Sequence, residues 1–391
     1  MSGSTGEHAA IEPHIAHKRQ LLGRVRRVVL KVGSSILSSG DGIRRERVAE
    51  MVEEIAALHD RGLEVMVVSS GAVAAGVARL GMKERPKTVP QRQAAAAVGQ
   101  IHLMALYEEL FARRGIAVAQ ILLTHDDLAN RRRYLNARLT LETLFDSKVL
   151  PVANENDTVV TAELTTFGDN DNLSALIAGL VEADLLVLLS DVPGLYTKNP
   201  SLHPDAELVP LVDESSRSGA GIRMEGSSSS VGTGGMGSKF SAALKASAAG
   251  IPTIIADGRR SGVLPGIFDL GQSVGTLFLP RGDRLARRKH WIAYTLKPTG
   301  SLVVDHGAAE ALAGKGRSLL PSGVRAVEGR FDGGACVRCV DPDGREFARG
   351  LVSYSAAELE KIKGEHSSKI EALLGYKRTD EVIHRNDLVL L

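Results

Sequence analysis

The sequence has little cysteine, almost no surplus of either charge and no long apolar run, and each shortage removes a class of protein. Two cysteines in 391 residues, Cys336 and Cys339, cannot build a disulfide scaffold. Their C-x-x-C spacing admits zinc or redox chemistry, but the chain has no second pair. The run Ala335 to Val340, ahead of Asp341-Pro-Asp-Gly344, reads as a strand entering a turn. Residues three apart on a strand face opposite sides, so the sulfurs should diverge and ordinary packing is expected. Lys plus Arg total 48 against 46 Asp plus Glu, so the balance calls for neither a nucleic acid nor a membrane surface. No apolar run approaches the roughly 18 residues of a membrane-spanning helix. Residues 1–20 are polar and carry no apolar stretch of a secretory signal, which points to the cytoplasm. Residues 1–24 read as a flexible extension or a locally docked tail.

What is plentiful is glycine and small apolar residues. At 391 residues and 43% hydrophobic content the chain is too long for one ordinary core, and two domains are expected. The stretch Gly232-Thr-Gly-Gly-Met-Gly-Ser-Lys239 places four glycines within six residues, ahead of an Ala-rich segment, Lys239 to Ala249, that reads as a helix. Glycines let backbone amides approach a ligand, and a helix N-terminus favours an anion, so this reads as a phosphate loop. Two rivals stand beside that reading. The upstream Ser/Gly run, 226–230, is also what a flexible linker looks like. Gly232, Gly234 and Gly237 satisfy G-x-G-x-x-G, with Asp257 at the spacing of a ribose-binding acid, although no apolar strand precedes Gly232. A Walker A loop is excluded, because Lys239 comes one place late and Phe240 stands where a Ser or Thr should be.

Taken in order, the chain alternates strands and helices. Val28-Val-Leu-Lys-Val32 reads as a buried strand ending at Gly33-Ser-Ser35, and a lysine inside it needs either water or an anion. Val48, Met51, Val52, Ile55 and Leu58 follow helical spacing up to Arg61-Gly62. Val65 to Val68 is a second strand running into Ser69-Ser70-Gly71. A long helix is expected from Gln91 to Arg114, then a strand from Ile116 to Leu123 and a capped helix start at Thr124-His-Asp-Asp127. The next helix carries Arg131-Arg-Arg133, read as a solvated face rather than an anion grip. Lys148 to Val152 is a strand leading to Asn154-Glu-Asn-Asp157, and Thr158 to Thr166 alternates like a hairpin before Phe167-Gly-Asp-Asn-Asp171. Ala183 to Leu189 is the most apolar strand, followed by Ser190-Asp-Val-Pro-Gly194. Ile251 to Ile255 closes the alternation. Polar residues gather after strand ends, where open α/β sheets bind ligands. Beyond the basic connector Arg281 to Lys289, short strands and turns with small helices near Ala308 and Ala356 indicate a separate β-rich module.

Six blocks together resemble the amino acid kinase family: Val29 to Ser35, Val68 to Gly76, Asn154 to Asp157, Gly168 to Ala175, Leu189 to Tyr196 and Gly232 to Lys239. They run in the family's order, and the tail with Gly350-Leu-Val-Ser-Tyr354 resembles a PUA domain. The resemblance implies an open, mostly parallel sheet sandwiched by helices, an α/β fold, followed by a small β-rich PUA-like domain. The implied spans are 1–24 for the extension, 25–285 for the catalytic domain, 286–296 for a linker and 297–380 for the PUA-like domain.

The resemblance further implies ATP-dependent phosphorylation of the γ-carboxylate of L-glutamate, the opening step of proline synthesis, with Mg2+ arriving on the nucleotide. Lys31 would neutralise the phosphoryl group in flight, Lys239 would hold the ATP phosphates, and Asp171 would orient both ammonium groups. Ser70, Asn154, Asp157 and Asn170 would bind glutamate, with Asp157 facing its α-ammonium. Gly33 and Gly71 would offer backbone amides near the reacting phosphate. Lys31, Gly33, Ser190, Asp191, Thr233, Gly234, Gly235, Met236, Gly237, Ser238 and Lys239 would form the ATP side, and no dedicated protein metal site is expected. Feedback inhibition by proline and a homo-oligomer are implied as well; a membrane partner and RNA binding by the tail are not. Kinases of N-acetylglutamate, aspartate or UMP remain alternatives within the family, as does a PUA-type RNA-binding protein outside it.

Overall fold

Every strand of the βα alternation reappears in one eight-stranded sheet of the computed structural model, which describes residues 4–39, 42–84, 86–159, 170–213, 235–281 and 298–391. The chain divides into two compact units, residues 1–128 with 140–281, and residues 129–139 with 282–391.

The first unit opens with helix α1 (Ser4–Leu22), strand β1 (Arg27–Val32), the short helix α2 (Ser34–Leu37) and a two-stranded turn, β2 (Ser38–Ser39) with β3 (Gly42–Ile43). Then follow α3 (Arg45–Asp60), β4 (Glu64–Ser69), α4 (Ala72–Arg79), α5 (Val89–Ala112), β5 (Val118–Leu123), α6 (His125–Ala129), α7 (Arg131–Asp146) and β6 (Leu150–Glu155), of which residues 129–139 group with the second unit. The remaining elements are α8 (Asn170–Leu180), β7 (Leu185–Ser190), β8 (Leu211–Val212), α9 (Met236–Ala248), β9 (Thr253–Asp257), α10 (Val263–Phe268) and β10 (Thr276–Phe278).

The sheet order is β5-β6-β4-β1-β7-β9-β10-β8. All neighbours are parallel except β9 and β10. Strands β6, β7 and β9 are buried at every residue, as continuous apolar runs covered on both faces should be. Strand β5 lies at the edge, and its Gln120 and Leu122 are exposed. The chain leaves β1 for β4 on one side and later returns to β7 on the other. The order therefore reverses at β1, the place where an open sheet leaves a crevice beyond its carboxyl ends.

Local sequence explains the helices that frame this crevice. Val48, Met51, Val52, Ile55 and Leu58 of α3 are all buried, as their spacing requires. Helix α5 starts earlier than the Ala-rich pattern suggested, because Thr88 and Gln91 form a reciprocal capping box with Pro90 in the first turn. Helices α4 and α5 touch backbone to backbone through two glycines. A methyl at Gly76 would stand 1.7 Å from the Ala95 carbonyl oxygen, and one at Gly99 would stand 1.8 Å from that of Ala72. That contact brings Gln100 to the sheet's polar edge.

Helix α1 departs from the flexible extension that was one expectation for residues 1–24. Lys18 is fully buried, and its ammonium donates to the carbonyls of Gly266 (3.0 Å), Asp269 (2.7 Å) and Gln272 (2.7 Å) at the end of α10. Three acceptors satisfy all three of its protons, and a cation suits a helix C-terminus. Burial nevertheless pushes this ammonium down to about 8. The hairpin expected over Thr158 to Thr166, the Ser/Gly run before the glycine loop and the linker 286–296 fall wholly or largely outside the described residues.

In the second unit the strands are β11 (Gly300–Val304), β12 (Val324–Gly329), β13 (Cys336–Val340), β14 (Glu346–Leu351) and β15 (Leu388–Leu390). They form a five-stranded sheet, order β12-β11-β13-β14-β15. Helices α11 (His306–Lys315), α12 (Ala356–Ile362) and α13 (Ile370–Leu374) complete it. Its core gathers Leu302, Val304, Val337, Cys339, Tyr354 and Ile383. Cys339 lies in that core, whereas Cys336 packs with Leu351 and Val389, so both thiols are free and belong to different clusters. Burial drives the Cys339 thiol up to about 12, which suits packing rather than reactivity.

Candidate active site

Lys31, flanked by the apolar residues Val28 to Leu30 and Val32, is buried near the end of β1 and aims its ammonium at Asp171, 2.6 Å from Oδ1. Lys239, buried in the first turns of α9, approaches the other oxygen of the same carboxylate at 3.2 Å. Ser238 Oγ donates to that oxygen as well, at 2.7 Å. Asp171 sits in the first turn of α8, where the helix dipole favours an anion. Its burial opposes ionisation, but Lys31 and Lys239, with the bonds from Lys31 and Ser238, outweigh that cost and hold the carboxyl below the usual carboxylate range. Two lysines 208 positions apart thus share one buried anion.

One residue earlier, Asn170 begins a chain of amides. Its Nδ2 donates to Ser70 Oγ (2.9 Å), just beyond the end of β4, and to Asn154 Oδ1 (3.0 Å), near the end of β6. Asn154 Nδ2 in turn donates to Gln100 Oε1 (2.8 Å) on α5. Among the described residues Asn170 Oδ1 is buried with no hydrogen-bond partner, an acceptor that a ligand's donor would satisfy. Beyond Gln100 lies a cleft of ≈ 260 Å³ whose polar lining includes Glu155, Asn156, Asp157 and Thr158. Burial, and then the charge of Glu155, push the Asp157 carboxyl up to about 7. His125 Nδ1 stands 3.7 Å from Glu155 Oε1.

On the other side of β1, Ser190 ends β7 and pairs in register with Asp257 at the end of β9. Ser190 Oγ donates to Asp191 Oδ1 at 3.2 Å. Gly33 follows β1, and a methyl built on it would lie 3.5 Å from Lys31 Nζ. Gly235 is exposed and open at the start of α9, followed by the partly exposed Met236, Gly237 and Ser238. Asp257, placed by spacing as a ribose acid in the dinucleotide alternative, accepts from Nε and Nη2 of Arg259. Thr233 and Gly234 lie outside the described residues. The fold therefore gathers Lys31, Asp171, Lys239 and Ser238 at one point and links Ser70, Asn170 and Asn154 beside it. Asp157 joins through the cleft that Gln100 lines, and Ser190 and Asp191 stand at the end of the neighbouring strand.

Gln100 and His125 were not among the expected site residues; the one feature that could have marked Gln100 is a polar residue within an Ala-rich helix. Among the described residues, no group of three or more His, Cys, Asp or Glu side chains is arranged to hold a metal ion, and no helix is long and apolar enough to cross a membrane.

The amino acid kinase family profile matches residues 26–257, more than half of the chain. The chain belongs to the amino acid kinase family. A PUA domain profile matches residues 300–374, so the family's α/β layer is followed by a PUA domain with its own sheet, as the resemblance implied. Similar family members include a glutamate 5-kinase of Trichlorobacter lovleyi, 54% identical over 376 residues, covering 96% of this chain and 99% of that protein. A glutamate 5-kinase of Geobacter sp. is 54% identical over 378 residues, covering 96% of this chain and 100% of its own length. That of Geobacter metallireducens is 55% identical over 373 residues, covering 95% of this chain and 99% of its own.

Proposed function

We propose that this chain is an ATP:L-glutamate 5-phosphotransferase, and that the two-lysine cluster on Asp171 is where the phosphoryl group moves. The convergence of Lys31 and Lys239 on one buried carboxylate is the observation that carries the reading. Transfer brings a carboxylate up to a phosphate chain, so two anions must approach, and fixed positive charge on both sides of the migrating group is the main thing a protein can supply. A γ-carboxylate oxygen of glutamate bonds to the γ-phosphorus of ATP while the bond to the bridging β,γ oxygen breaks, giving an acyl phosphate and ADP. The nucleophile is already ionised, so no base has to remove a proton.

In this reading Lys31 neutralises the group in flight and Lys239 meets the charge that builds on the leaving oxygen. Asp171 keeps two mutually repelling ammonium groups aimed, and Ser238 fixes the aspartate. Ser70, Asn154, Asn170 and Asp157 bind glutamate, with the unpaired Asn170 Oδ1 as a fitting acceptor. Gly33, Ser190, Asp191 and residues 233–239 form the nucleotide side, where the start of α9 offers amides and a favourable dipole to phosphate. Mg2+ would enter on the phosphate oxygens, since it prefers phosphate and water ligands to a full protein cage. The family likeness also supports a cytoplasmic homo-oligomer under proline feedback, with catalytic and PUA-like spans near 25–285 and 297–380. An ADP-release assay across L-glutamate, N-acetyl-L-glutamate, L-aspartate and UMP tests the acceptor. Release dependent on glutamate alone is expected, and turnover with another acceptor but not glutamate would overturn the assignment.

A further inference from the structure

Beside Ser70, two hydroxyls are buried in a line. Tyr107, fully buried on α5, has its oxygen 2.9 Å from Ser69 Oγ. Ser69, the fully buried last residue of β4, donates to the carbonyl of Ser70 at 3.1 Å. A hydroxyl has a single proton, so Tyr107 is the donor to Ser69 and the line runs one way, from phenol to serine to carbonyl. Burial pushes the Tyr107 phenol up to about 12, so it keeps the proton it donates. The Ser70 N–H is held separately by the Val32 carbonyl at the end of β1 (3.0 Å), and the Ser70 side chain by Asn170.

What this relay fixes is a peptide that glycine leaves free to turn over. Gly71 caps α4 with φ 108° and ψ −5°. The peptide between Ser70 and Gly71 can be inverted with little movement around it, as between the two commonest β-turns, which share ψ near 0 at this residue and differ in the sign of φ. Glycine tolerates both signs, so the residue type does not choose between them. The C=O and N–H of one trans peptide point in opposite directions. A Ser70 carbonyl held toward buried Ser69 therefore turns the Gly71 N–H the other way.

Resting on the phosphotransfer reading above, we infer that Ser69 and Tyr107 are positioning residues for the transfer, holding the peptide between Ser70 and Gly71 in the orientation that presents the Gly71 amide to the phosphoryl group. Both act through the main chain, from behind the site. Inverting the peptide would put a carbonyl oxygen where the amide was, repelling the oxygens of the group in flight. It would also leave the buried Ser69 proton without its acceptor.

The test compares full chains carrying Ser69→Ala, Ser69→Thr, Tyr107→Phe, or Ser69→Ala with Tyr107→Phe against the wild type, by glutamate-dependent ADP release and by crystal structures. One buried hydrogen bond biases a two-way choice by about five- to tenfold, so Ser69→Ala should lower kcat by that factor. The KM values for glutamate and ATP should stay within about twofold, since the amide is aimed at the group in flight. Tyr107→Phe keeps the ring stacked on Phe111 and leaves Ser69 its own proton, so kcat should fall by only about two- to threefold. Ser69→Thr returns the hydroxyl and should return kcat. The double variant should be no slower than Ser69→Ala, because Tyr107 acts only through Ser69. Crystals of Ser69→Ala should show the peptide inverted in part or all of the molecules, with Gly71 at negative φ. Wild-type kcat in Ser69→Ala, a lowered kcat over an unmoved peptide, losses that multiply in the double variant, or a Ser69→Thr chain as slow as Ser69→Ala would each overturn the inference. If Ser69→Ala does not fold, Tyr107→Phe decides, and wild-type kcat there overturns it. Absence of glutamate-dependent ADP release from the wild type is a different result: it removes the phosphotransfer reading and the role in transfer, while Gly71 φ in Ser69→Ala still decides whether the relay holds the peptide.

Discussion

Replacing Asp171 by Asn keeps the shape of the site and deletes the charge on which two buried ammonium groups rest, at 2.6 and 3.2 Å. At an effective dielectric constant near 20, each such contact is worth about 4 kcal/mol of Coulomb energy before desolvation is counted. Removing one partner of a buried ion pair typically costs about 3–5 kcal/mol, because the surviving charge stays buried. That is a large part of the roughly 5–15 kcal/mol that holds a protein folded. For a unit of this size it should lower Tm by about 6–20 °C. The carboxyl is held below its ordinary range in the native state. Its contribution is therefore present above the normal carboxylate pKa and lost as pH falls through the depressed native value, so the gap between wild type and Asp171→Asn should close in acid. Calorimetry on both proteins at neutral and acidic pH reads this, and kcat should fall by about 10²-fold or more. Adding Lys31→Met to Asp171→Asn removes one of the two cations that the carboxylate held and should recover part of the stability without recovering turnover. A single variant with wild-type Tm and kcat, or a double variant as unstable as the sum of its parts, would refute the electrostatic reasoning.

Lys31→Ala and Lys239→Ala should each lower kcat by about 10²-fold, the scale of losing one preorganised donor, and near-normal turnover in either would remove it from the chemistry. Asp157→Asn should raise the KM for glutamate. Because the native carboxyl is raised to about 7 while the unfolded one is ordinary, the native state holds the extra proton between those values and its stability falls as pH rises through them. The Asn variant should therefore be the more stable protein at pH about 8 and lose that advantage toward pH about 4, as urea midpoints would record. Lys18→Met strips three carbonyls of their donor and should cost about 1–3 kcal/mol, with faster amide exchange in α1; unchanged exchange would mean that packing alone docks the helix.

The parts of the fold that were legible had a local physical cause. Lys31 stood out because a charge inside a buried strand requires a partner, whereas Asp171 was marked only by the family resemblance. Strands β1, β4, β6, β7 and β9 announced themselves as apolar runs ending in polar turns. The antiparallel β10 and the two-residue β8 did not, since a pairing that short carries no periodicity of its own. Docking of α1 was hidden for another reason: Lys18 binds main-chain carbonyls, which any sequence possesses. Gln100 reaches Asn154 only because Gly76 and Gly99 let α4 and α5 meet closely, a tertiary fact that neither helix reveals alone.

The most direct test is to trap the product. An acyl phosphate, unlike a phosphate ester, is captured by hydroxylamine, so the wild-type chain given ATP, Mg2+, L-glutamate and hydroxylamine should form γ-glutamyl hydroxamate in step with ADP, and lose both when Lys31 or Lys239 is replaced. ADP released without hydroxamate, or hydroxamate formed at full rate without those two lysines, would contradict phosphoryl transfer to glutamate at this cluster.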